Sequence, residues 1–321
     1  MSESALTLRS ELVIMLADGD FHSGQTLAEH FQISRTAVAN HINALIELGL
    51  DIYSVKGKGY RIATPLNLLT KPDIHSYSAL TQRVPLEVLS VVDSTNTYLK
   101  QRIDSVAHGH TVVAEAQTAG RGRRGRHWVS PFGASLYLSM CWRFQGGYQQ
   151  IGGLSLYVGY CLIQALKKHK VDGLAVKWPN DIYRHGRKLG GILVEVEGQI
   201  GTEVACIIGA GINIRLPEAL DSIEQPFNDL SDHEIDRNHL CASIIENLHQ
   251  SLPQFEQHGL APILHEWNAM DVFAQQQVTI TGTNQLHQGV NHGINEQGAL
   301  QLKTADGMIA IHGGEVSLRA S

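Results

Sequence analysis

Residues 117–128 read Gln-Thr-Ala-Gly-Arg-Gly-Arg-Arg-Gly-Arg-His-Trp, the densest concentration of chemically informative residues in the chain. The glycines at 120, 122 and 125 have the Gly-x-Gly-x-x-Gly spacing of a dinucleotide-binding turn. Such a turn opens a helix and is followed by an acidic residue about 20 positions later. Here an alternating, strand-like run follows at 134–140, and no acidic residue stands near position 145. The dinucleotide interpretation is therefore rejected.

The stretch is instead predicted to be a loop that binds an anion. Glycines let backbone N–H groups approach a ligand, and the four arginines supply fixed positive charge for a carboxylate or a phosphate. The alternative is a solvated basic loop with no ligand. Because four close guanidinium groups repel one another, we expect the loop to be mobile until an anion neutralises it.

Three further segments offer groups for an anionic ligand. Asp93-Ser94-Thr95-Asn96 lies between a predicted strand and a predicted helix, so its hydroxyls and free N–H groups face the helix N-terminus. Taken alone, this segment is an ordinary helix cap. Lys177-Trp178-Pro179-Asn180-Asp181 ends a predicted strand, and Lys188 begins the next. Gly209-Ala210-Gly211 repeats the Gly-x-Gly pattern inside a β run, where close backbone packing is the expected role.

The surrounding region, from about 67 to 270, mixes strand and helix patterns. Strands are predicted at 86–92, 111–116, 134–142, 174–178, 189–197 and 204–214, and helices at 95–103, 154–169, 237–258 and 262–270. The helix from 154 is apolar nearly all round and is predicted to be buried.

The composition is that of a folded protein of two or three domains, with 321 residues, 43% of them apolar. A net charge of −6 excludes a general polyanion binder. The four cysteines are widely spaced, which excludes a cysteine zinc cluster and disfavours a disulfide scaffold. The sequence shows neither a secretion signal nor an apolar run long enough for a membrane span, so we expect a cytoplasmic protein with reduced thiols.

The first 65 residues resemble the winged helix-turn-helix family. Apolar spacing and capping serines at 23 and 34 predict three helices, followed by two β-prone runs joined by the basic turn 56–59. The third helix would present short polar side chains to base edges in a DNA major groove. The candidate DNA-binding residues are Ser34, Arg35, Thr36, Asn40, Asn43, Lys56 and Lys58. A small protein-interaction module is the alternative.

The charge of this segment sets a limit on DNA affinity. Residues 1–65 carry five lysines and arginines against seven acidic residues. Non-specific affinity depends on neutralising phosphates, so a single copy should bind DNA poorly. A homodimer on a two-part operator would double the contacts and would let dimerisation act as the switch.

Together, the central motifs resemble the biotin–protein ligase family. The arginine-glycine loop and the Lys-Trp-Pro-Asn-Asp block are specific to it, whereas each other motif is weak alone. The added winged helix resembles the bifunctional members, which combine the ligase with a biotin operon repressor. The motifs that carry the resemblance are Ser94-Thr95-Asn96, Gln117, residues 120–125, residues 177–181, Lys188 and residues 209–213.

The resemblance implies an α+β multidomain fold. A winged helix would occupy residues 1–65, and a catalytic domain with a mixed β-sheet and helices, like that of class II synthetases, would occupy 66–270. A small SH3-like β-barrel would occupy 271–321. Short strands separated by Gly and Asn turns are predicted in this tail at 278–280, 286–290, 299–303, 308–311 and 315–318.

The resemblance also implies a two-step reaction with ATP, Mg²⁺ and biotin. The biotin carboxylate joins ATP, pyrophosphate leaves, and the acyl group of biotinyl-5'-AMP passes to a lysine of a biotin carboxyl carrier protein. Two anions meet in the first step, so positive charge must dominate the site, with Mg²⁺ on the phosphates. In the second step the attacking amine, with a pKa of about 10.4, must lose a proton. Asp181 is the candidate base; it could equally be a Mg²⁺ ligand or a hydrogen-bond partner.

The implied site residues are assigned by motif. The catalytic residues would be Lys188, Arg123 and Asp181. The residues that bind biotin would be Ser94, Thr95, Asn96, Gln117, Arg121, Gly122, Arg123 and Lys188. Those that bind ATP or the adenylate would be Arg121, Lys177, Asn180, Asn213 and Phe227. Phe227 is included because it is the only aromatic residue in 214–236, where relatives often carry one that covers the adenine. Trp128 is expected either to wall the pocket or to pack in the core.

Two other functions stay open at this point. A lipoate or octanoate ligase has a similar central fold, but its usual Arg-Arg and Gly-Gly-Gly-Ala-Val run is absent here. A non-catalytic, ligand-sensing repressor could have lost Lys177, Asn180, Asp181 and Lys188, yet all four are present. In the bifunctional case biotinyl-5'-AMP is the corepressor: it would order the loop as a lid, and the ordered loop would complete a dimer surface.

Overall fold

The computed structural model describes residues 3–198, 203–217, 226–282, 286–313 and 317–320. Its first unit is the three helices and hairpin predicted from the apolar spacing. Ser23 Oγ and Ser34 Oγ each accept a hydrogen bond from a backbone N–H three residues later, as expected of helix caps. Leu16, Leu27 and Ile42 are buried between the helices. The elements are α1 (Glu3–Leu16), α2 (Gly24–Phe31), α3 (Arg35–Glu47), β1 (Ile52–Val55) and β2 (Gly59–Ile62).

A seven-stranded mixed sheet forms the centre of the molecule. Its strands are β3 (Leu86–Val92), β4 (Thr111–Gln117), β5 (Ser135–Phe144), β6 (Leu174–Lys177), β7 (Asp181–Arg184), β8 (Arg187–Glu197) and β9 (Val204–Asn213). They lie in the order β3-β4-β5-β9-β8-β7-β6, and only the β3–β4 pair of these described strands is parallel. The mixed sheet predicted for this region is confirmed.

Five helices accompany the sheet. They are α4 (Lys71–Ser76), α5 (Thr95–Lys100), α6 (Leu154–Lys168), α7 (Arg237–His258) and α8 (Leu264–Ala269). Ten of the fifteen residues of α6 are buried, which confirms its prediction as a core helix. Within the described parts of the chain, no helix has the length and apolar content to span a lipid bilayer. All four cysteines are buried and free.

Two elements of this region differ from the sequence-based expectation. The chain does not leave the sheet after Lys177 but turns through 178–180 and returns as the four-residue strand β7. A strand this short gives too few alternations to be detected by pattern. The segment before β3 contains α4, which is not among the predicted helices and which Thr70 caps by accepting from Asp73 N.

The last unit is a five-stranded antiparallel sheet. Its strands are β10 (Gln277–Thr281), β11 (Leu286–Ile294), β12 (Leu300–Thr304), β13 (Gly307–Ile311) and β14 (Ser317–Ala320), in the order β13-β12-β11-β10-β14. The first four strands predicted in the tail are present; the fifth, predicted at 315–318, agrees with β14 at 317–318, and its residues 315–316 lie outside the described residues. Together with the first two units, these strands confirm an α+β multidomain fold.

The winged unit packs directly on the central sheet. Phe132 N donates to Leu48 O, at the end of α3, over 3.0 Å. Phe132 and Ala116 belong to the same buried apolar cluster as the helices of the first unit. The segment that follows β4 therefore touches both the winged unit and, through residues 117–128, the candidate site.

Candidate active site

The candidate site is a cavity on one face of the central sheet, where β4, β8 and β9 meet the arginine-glycine loop. The structure brings most of the sequence-predicted site residues into this one cavity. Those that line it are Ser94, Thr95, Asn96, Gln117, Arg121, Gly122, Arg123, Lys177, Asn180, Asp181 and Lys188.

A hydrogen-bond network at the N-terminus of α5 forms one wall. Thr95 N and Thr95 Oγ1 donate to Gln117 Oε1 over 2.9 and 3.2 Å. Ser139 Oγ lies 2.7 Å from Thr95 Oγ1 and 2.6 Å from Asn96 Oδ1. The segment predicted from sequence as a cap is thus a buried, pre-oriented set of polar groups. Ser139, a buried polar residue of β5, was missed because its role depends on a contact across the sheet.

Two arginines of the loop 117–128 contact the sheet and the turn beside it. Arg121 pairs with Glu195 through Nη2–Oε1 and Nη1–Oε2 distances of 3.0 and 3.2 Å. Arg123 Nη1 donates to Asn180 Oδ1 over 2.8 Å, and burial lowers the pKa of the Arg123 guanidinium. The sequence did not indicate Glu195, since an acid near the end of a strand has no distinctive pattern.

A largely buried ion pair lines the cavity. Lys188 Nζ is 2.9 Å from Asp181 Oδ1, and both side chains are at most 16% exposed. The same ammonium lies 5.4 Å from the centroid of the Trp128 ring, within range of a cation–π contact. The indole packs so closely on Gly211 that an added Cβ there would lie 2.7 Å from it. The close contact at Gly211 is thus made by a side chain and not by the backbone that was expected. Of the two roles considered for Trp128, the structure shows a residue of the cavity wall.

A second lysine is placed by aromatic residues. Lys177 Nζ donates to Tyr183 Oη over 3.0 Å and lies 5.7 Å from the centroid of the Phe273 ring. Burial lowers the pKa of this ammonium. Arg319, from β14, also lines the cavity. Tyr183, Phe273 and Arg319 could not be predicted from local pattern, because tertiary packing alone brings them here.

Two sequence-predicted residues do not line the cavity. Asn213 Nδ2 donates to Asn228 O over 3.1 Å, which joins β9 to the segment after it. Phe227 forms an isolated β-bridge with Lys188, so its backbone lies near the site. Its ring is not among the side chains that line the cavity. Residues 218–225, part of the stretch considered for adenine stacking, lie outside the described residues.

The candidate DNA-binding residues lie together on the winged unit. Arg35, Thr36, Asn40 and Asn43 are exposed on α3, and Ser34 is exposed while capping that helix. Lys56 and Lys58 are exposed in the turn between β1 and β2. The polar face of α3 is therefore accessible to a duplex.

Comparisons with known proteins match all three units. Residues 88–213 match the Biotin/lipoate A/B protein ligase family, residues 8–61 an HTH domain, and residues 275–319 the Biotin protein ligase C terminal domain. The chain is 45% identical to the Bifunctional ligase/repressor BirA of Salmonella typhimurium and 43% identical to that of Escherichia coli. Each match covers 98% of this chain and 98% of the relative.

A solved structure gives the same assignment for the ligase portion. The biotin protein ligase from Aquifex aeolicus in complex with biotin and ATP has a TM-score of 0.65 and 27% identity to this chain. The match covers 74% of this chain and 99% of that one. With the full-length relatives, this shows that the chain belongs to the biotin protein ligase family.

Proposed function

We propose that this chain is an ATP-dependent biotin–protein ligase that forms biotinyl-5'-AMP and also represses transcription with that adenylate as corepressor. The observation that carries the ligase half is the largely buried Lys188–Asp181 pair in a cavity that the four arginines of the loop also line. Positive charge at this point is what the meeting of two anions requires.

In the first step, a biotin carboxylate oxygen attacks the α-phosphorus of ATP. A new O–P bond forms, the bond to the β-phosphate oxygen breaks, and pyrophosphate leaves. We assign Lys188 and Arg123 to the negative charge that develops there, with Arg121, Lys177 and Asn180 on the phosphates. The support is geometric, since all five side chains line one cavity. Asn213 and Phe227 remain proposed adenylate contacts that would act through the segment beside Lys188.

The biotin rings are assigned to the wall made by Ser94, Thr95, Asn96 and Gln117. This wall offers hydroxyl and amide groups already oriented by hydrogen bonds, which suits the polar ureido group of biotin. Trp128 supplies an apolar face, and its buried Nε1 has no hydrogen-bond partner among the described residues.

Mg²⁺ would be bound mainly by the substrate phosphates. The described residues contain no group of three His, Cys, Asp or Glu side chains suited to hold a metal ion. Asp181 lines the cavity and is the residue we assign to any direct protein contact with the ion. The cation would neutralise phosphate charge in the first step.

In the second step, a carrier lysine attacks the acyl carbon and AMP leaves. The carrier lysine arrives as an ammonium and must lose a proton to become the attacking amine. We assign Asp181 as the acceptor because its carboxylate lines the cavity beside the Lys188 ammonium. The acceptor is a biotin carboxyl carrier domain.

The test of the ligase assignment is incubation with ATP, labelled biotin and a carrier domain. We expect biotin-dependent exchange of labelled pyrophosphate into ATP, followed by label on the carrier lysine. Exchange with lipoate or octanoate in place of biotin would favour the related ligase instead. Absence of exchange with all three acids would leave a ligand-sensing repressor.

We infer that the chain divides at residues 1–65, 66–270 and 271–321, in line with the three family matches. A cytoplasmic location is proposed from the buried, free cysteines, which suit a reducing compartment.

We assign DNA recognition to two groups of residues with different effects. Asn40→Ala combined with Asn43→Ala should weaken binding to a duplex selected by the wild type from a random library by about 10- to 100-fold, because base contacts are lost. Lys56→Ala combined with Lys58→Ala should weaken selected and random duplexes alike and lower the salt slope by about two. Titrations at several salt concentrations measure both. Equal loss on selected and random DNA for the asparagine variant would refute its role in base reading.

Dimerisation is the proposed switch between the two functions. Adenylate would order the loop, the ordered loop would complete a dimer surface, and the dimer would present two winged units to an operator. We expect sedimentation to change from monomer to dimer when biotin and ATP are added to micromolar protein. An unchanged sedimentation coefficient under these conditions would remove this mechanism.

A further inference from the structure

Arg184 has a charged side chain that is almost fully buried, so nearby groups must compensate its charge. It ends β7, where Ile182 and Arg184 are buried while Asp181 and Tyr183 are partly exposed. Since side chains alternate along a strand, Arg184 lies on the opposite face from Asp181. Its side chain is 3% exposed. A guanidinium so buried is stable only with charged or hydrogen-bonding partners.

Most of these partners come from the segment 228–232. Arg184 Nη1 and Nη2 each donate to a different oxygen of Asp232 over 2.7 Å, a bidentate pair. Nη1 also lies 3.0 Å from Asp229 O and 3.4 Å from Asn228 Oδ1. The Arg184 guanidinium holds the pKa of the Asp232 carboxyl well below its usual range. On the other side, Arg184 Nη2 reaches Asp172 Oδ1 over 3.2 Å.

The anchored segment continues directly to the backbone of Lys188. The pairing of β9 with β8 ends at Gly190, so it does not extend to Lys188 near the start of β8. At Lys188 the neighbouring backbone is instead that of Phe227, which forms a parallel β-bridge with Lys188. Next to it, Asn228 N donates to Lys188 O over 2.8 Å. Segment 226–228 is thus the neighbour of the Lys188 backbone on the side where the sheet has ended.

We propose that Arg184 is a positioning residue for adenylate formation: by binding Asp232, Asp229 and Asn228, it keeps segment 226–228 against the Lys188 backbone and so fixes the Lys188 ammonium beside Asp181. Arg184 is connected to Lys188 twice, through the β7–β8 hairpin and through the anchored segment. Loss of the second connection leaves the first residues of β8 paired on one side only. The inference rests on the proposed role of Lys188.

The test is Arg184→Met, which keeps an unbranched side chain while removing the charge. We expect the kcat for biotin-dependent pyrophosphate exchange to fall about 10- to 100-fold, since misplacement by about 1 Å can cost that much. This kcat is expressed per active site, and the active sites are counted from the initial burst of adenylate formation. Biotin affinity should change little, because the wall around Thr95 lies on other elements. Arg184→Lys should recover part of the rate, since it restores charge without the bidentate geometry.

A second variant keeps the inference testable if Arg184→Met does not fold. Asp232→Asn removes half of the pair from a side chain that is 59% exposed, and it should lower kcat in the same direction. Arg143→Met is the matched control, because it removes a guanidinium that pairs with Glu203 beside the start of β9, whereas Lys188 lies near the other end of that strand. Its kcat per titrated site should equal that of the wild type.

The outcomes separate this inference from the proposed function. If the wild type shows no biotin-dependent exchange, the ligase assignment fails. If the wild type is active and the Arg184 and Asp232 variants keep its kcat per titrated site, Arg184 has only a structural role and the inference is overturned.

Discussion

Replacing Lys188 by alanine is expected to lower biotin-dependent pyrophosphate exchange by at least about 10²- to 10³-fold, the usual cost of removing one group that stabilises transition-state charge. Lys188 is largely buried, pairs with Asp181 at 2.9 Å and lies in the cavity with Arg121 and Arg123. Without its ammonium, the biotin carboxylate and the α-phosphate would meet with less compensating charge. Exchange of labelled pyrophosphate into ATP measures the first step alone.

Stability must be separated from chemistry in this experiment. Lys188→Ala leaves the Asp181 carboxylate without its partner, and breaking a buried ion pair costs about 3–5 kcal/mol when both groups are fully buried. The double variant Lys188→Ala, Asp181→Asn removes that penalty and should regain thermal stability while staying inactive. Lys168→Ala, an exposed lysine at the end of α6, is the control. Normal exchange by Lys188→Ala would refute the assigned role.

Arg123→Gly is expected to release biotinyl-5'-AMP about 10- to 100-fold faster than the wild type. A hydrogen bond to a charged group contributes about 1.5–3 kcal/mol, and each 1.4 kcal/mol is tenfold in a binding constant. The substitution removes the Arg123–Asn180 hydrogen bond of 2.8 Å and adds backbone freedom to the loop. Retention of labelled adenylate on a filter, followed over time, gives the rate.

The neighbouring arginine offers a matched comparison. Arg124 is exposed and has φ of 60°, a conformation that glycine adopts more readily than arginine. Arg124→Gly should therefore retain adenylate far longer than Arg123→Gly. Equal retention by the wild type and Arg123→Gly would count against the loop as a lid.

Elements with long periodic patterns were predictable from the sequence. The bounds of α7 and β3 agree with the prediction at both ends, because their apolar spacing is regular and an acidic cap, Asp236, precedes α7. The loop 117–128 was separated from a dinucleotide turn by the strand that follows it, and β5 confirms that argument. Local sequence pattern was therefore enough to predict those elements whose secondary structure is determined by their own residues.

The remaining parts of the site depend on contacts that no local pattern contains. Glu195 becomes a partner of Arg121 only because β8 passes under the loop. Arg319 reaches the cavity from the other end of the chain. Arg184 looked like an ordinary strand residue, and its importance follows from where the segment 228–232 returns.

A crystal structure with biotinyl-5'-AMP bound tests the central claim most directly. We expect residues 120–126 to lie over the ligand, with the guanidinium of Arg121 or Arg123 and the ammonium of Lys188 within hydrogen-bond distance of the acyl-phosphate oxygens. A bound adenylate with residues 120–126 directed into solvent and no contact from Lys188 would contradict the account.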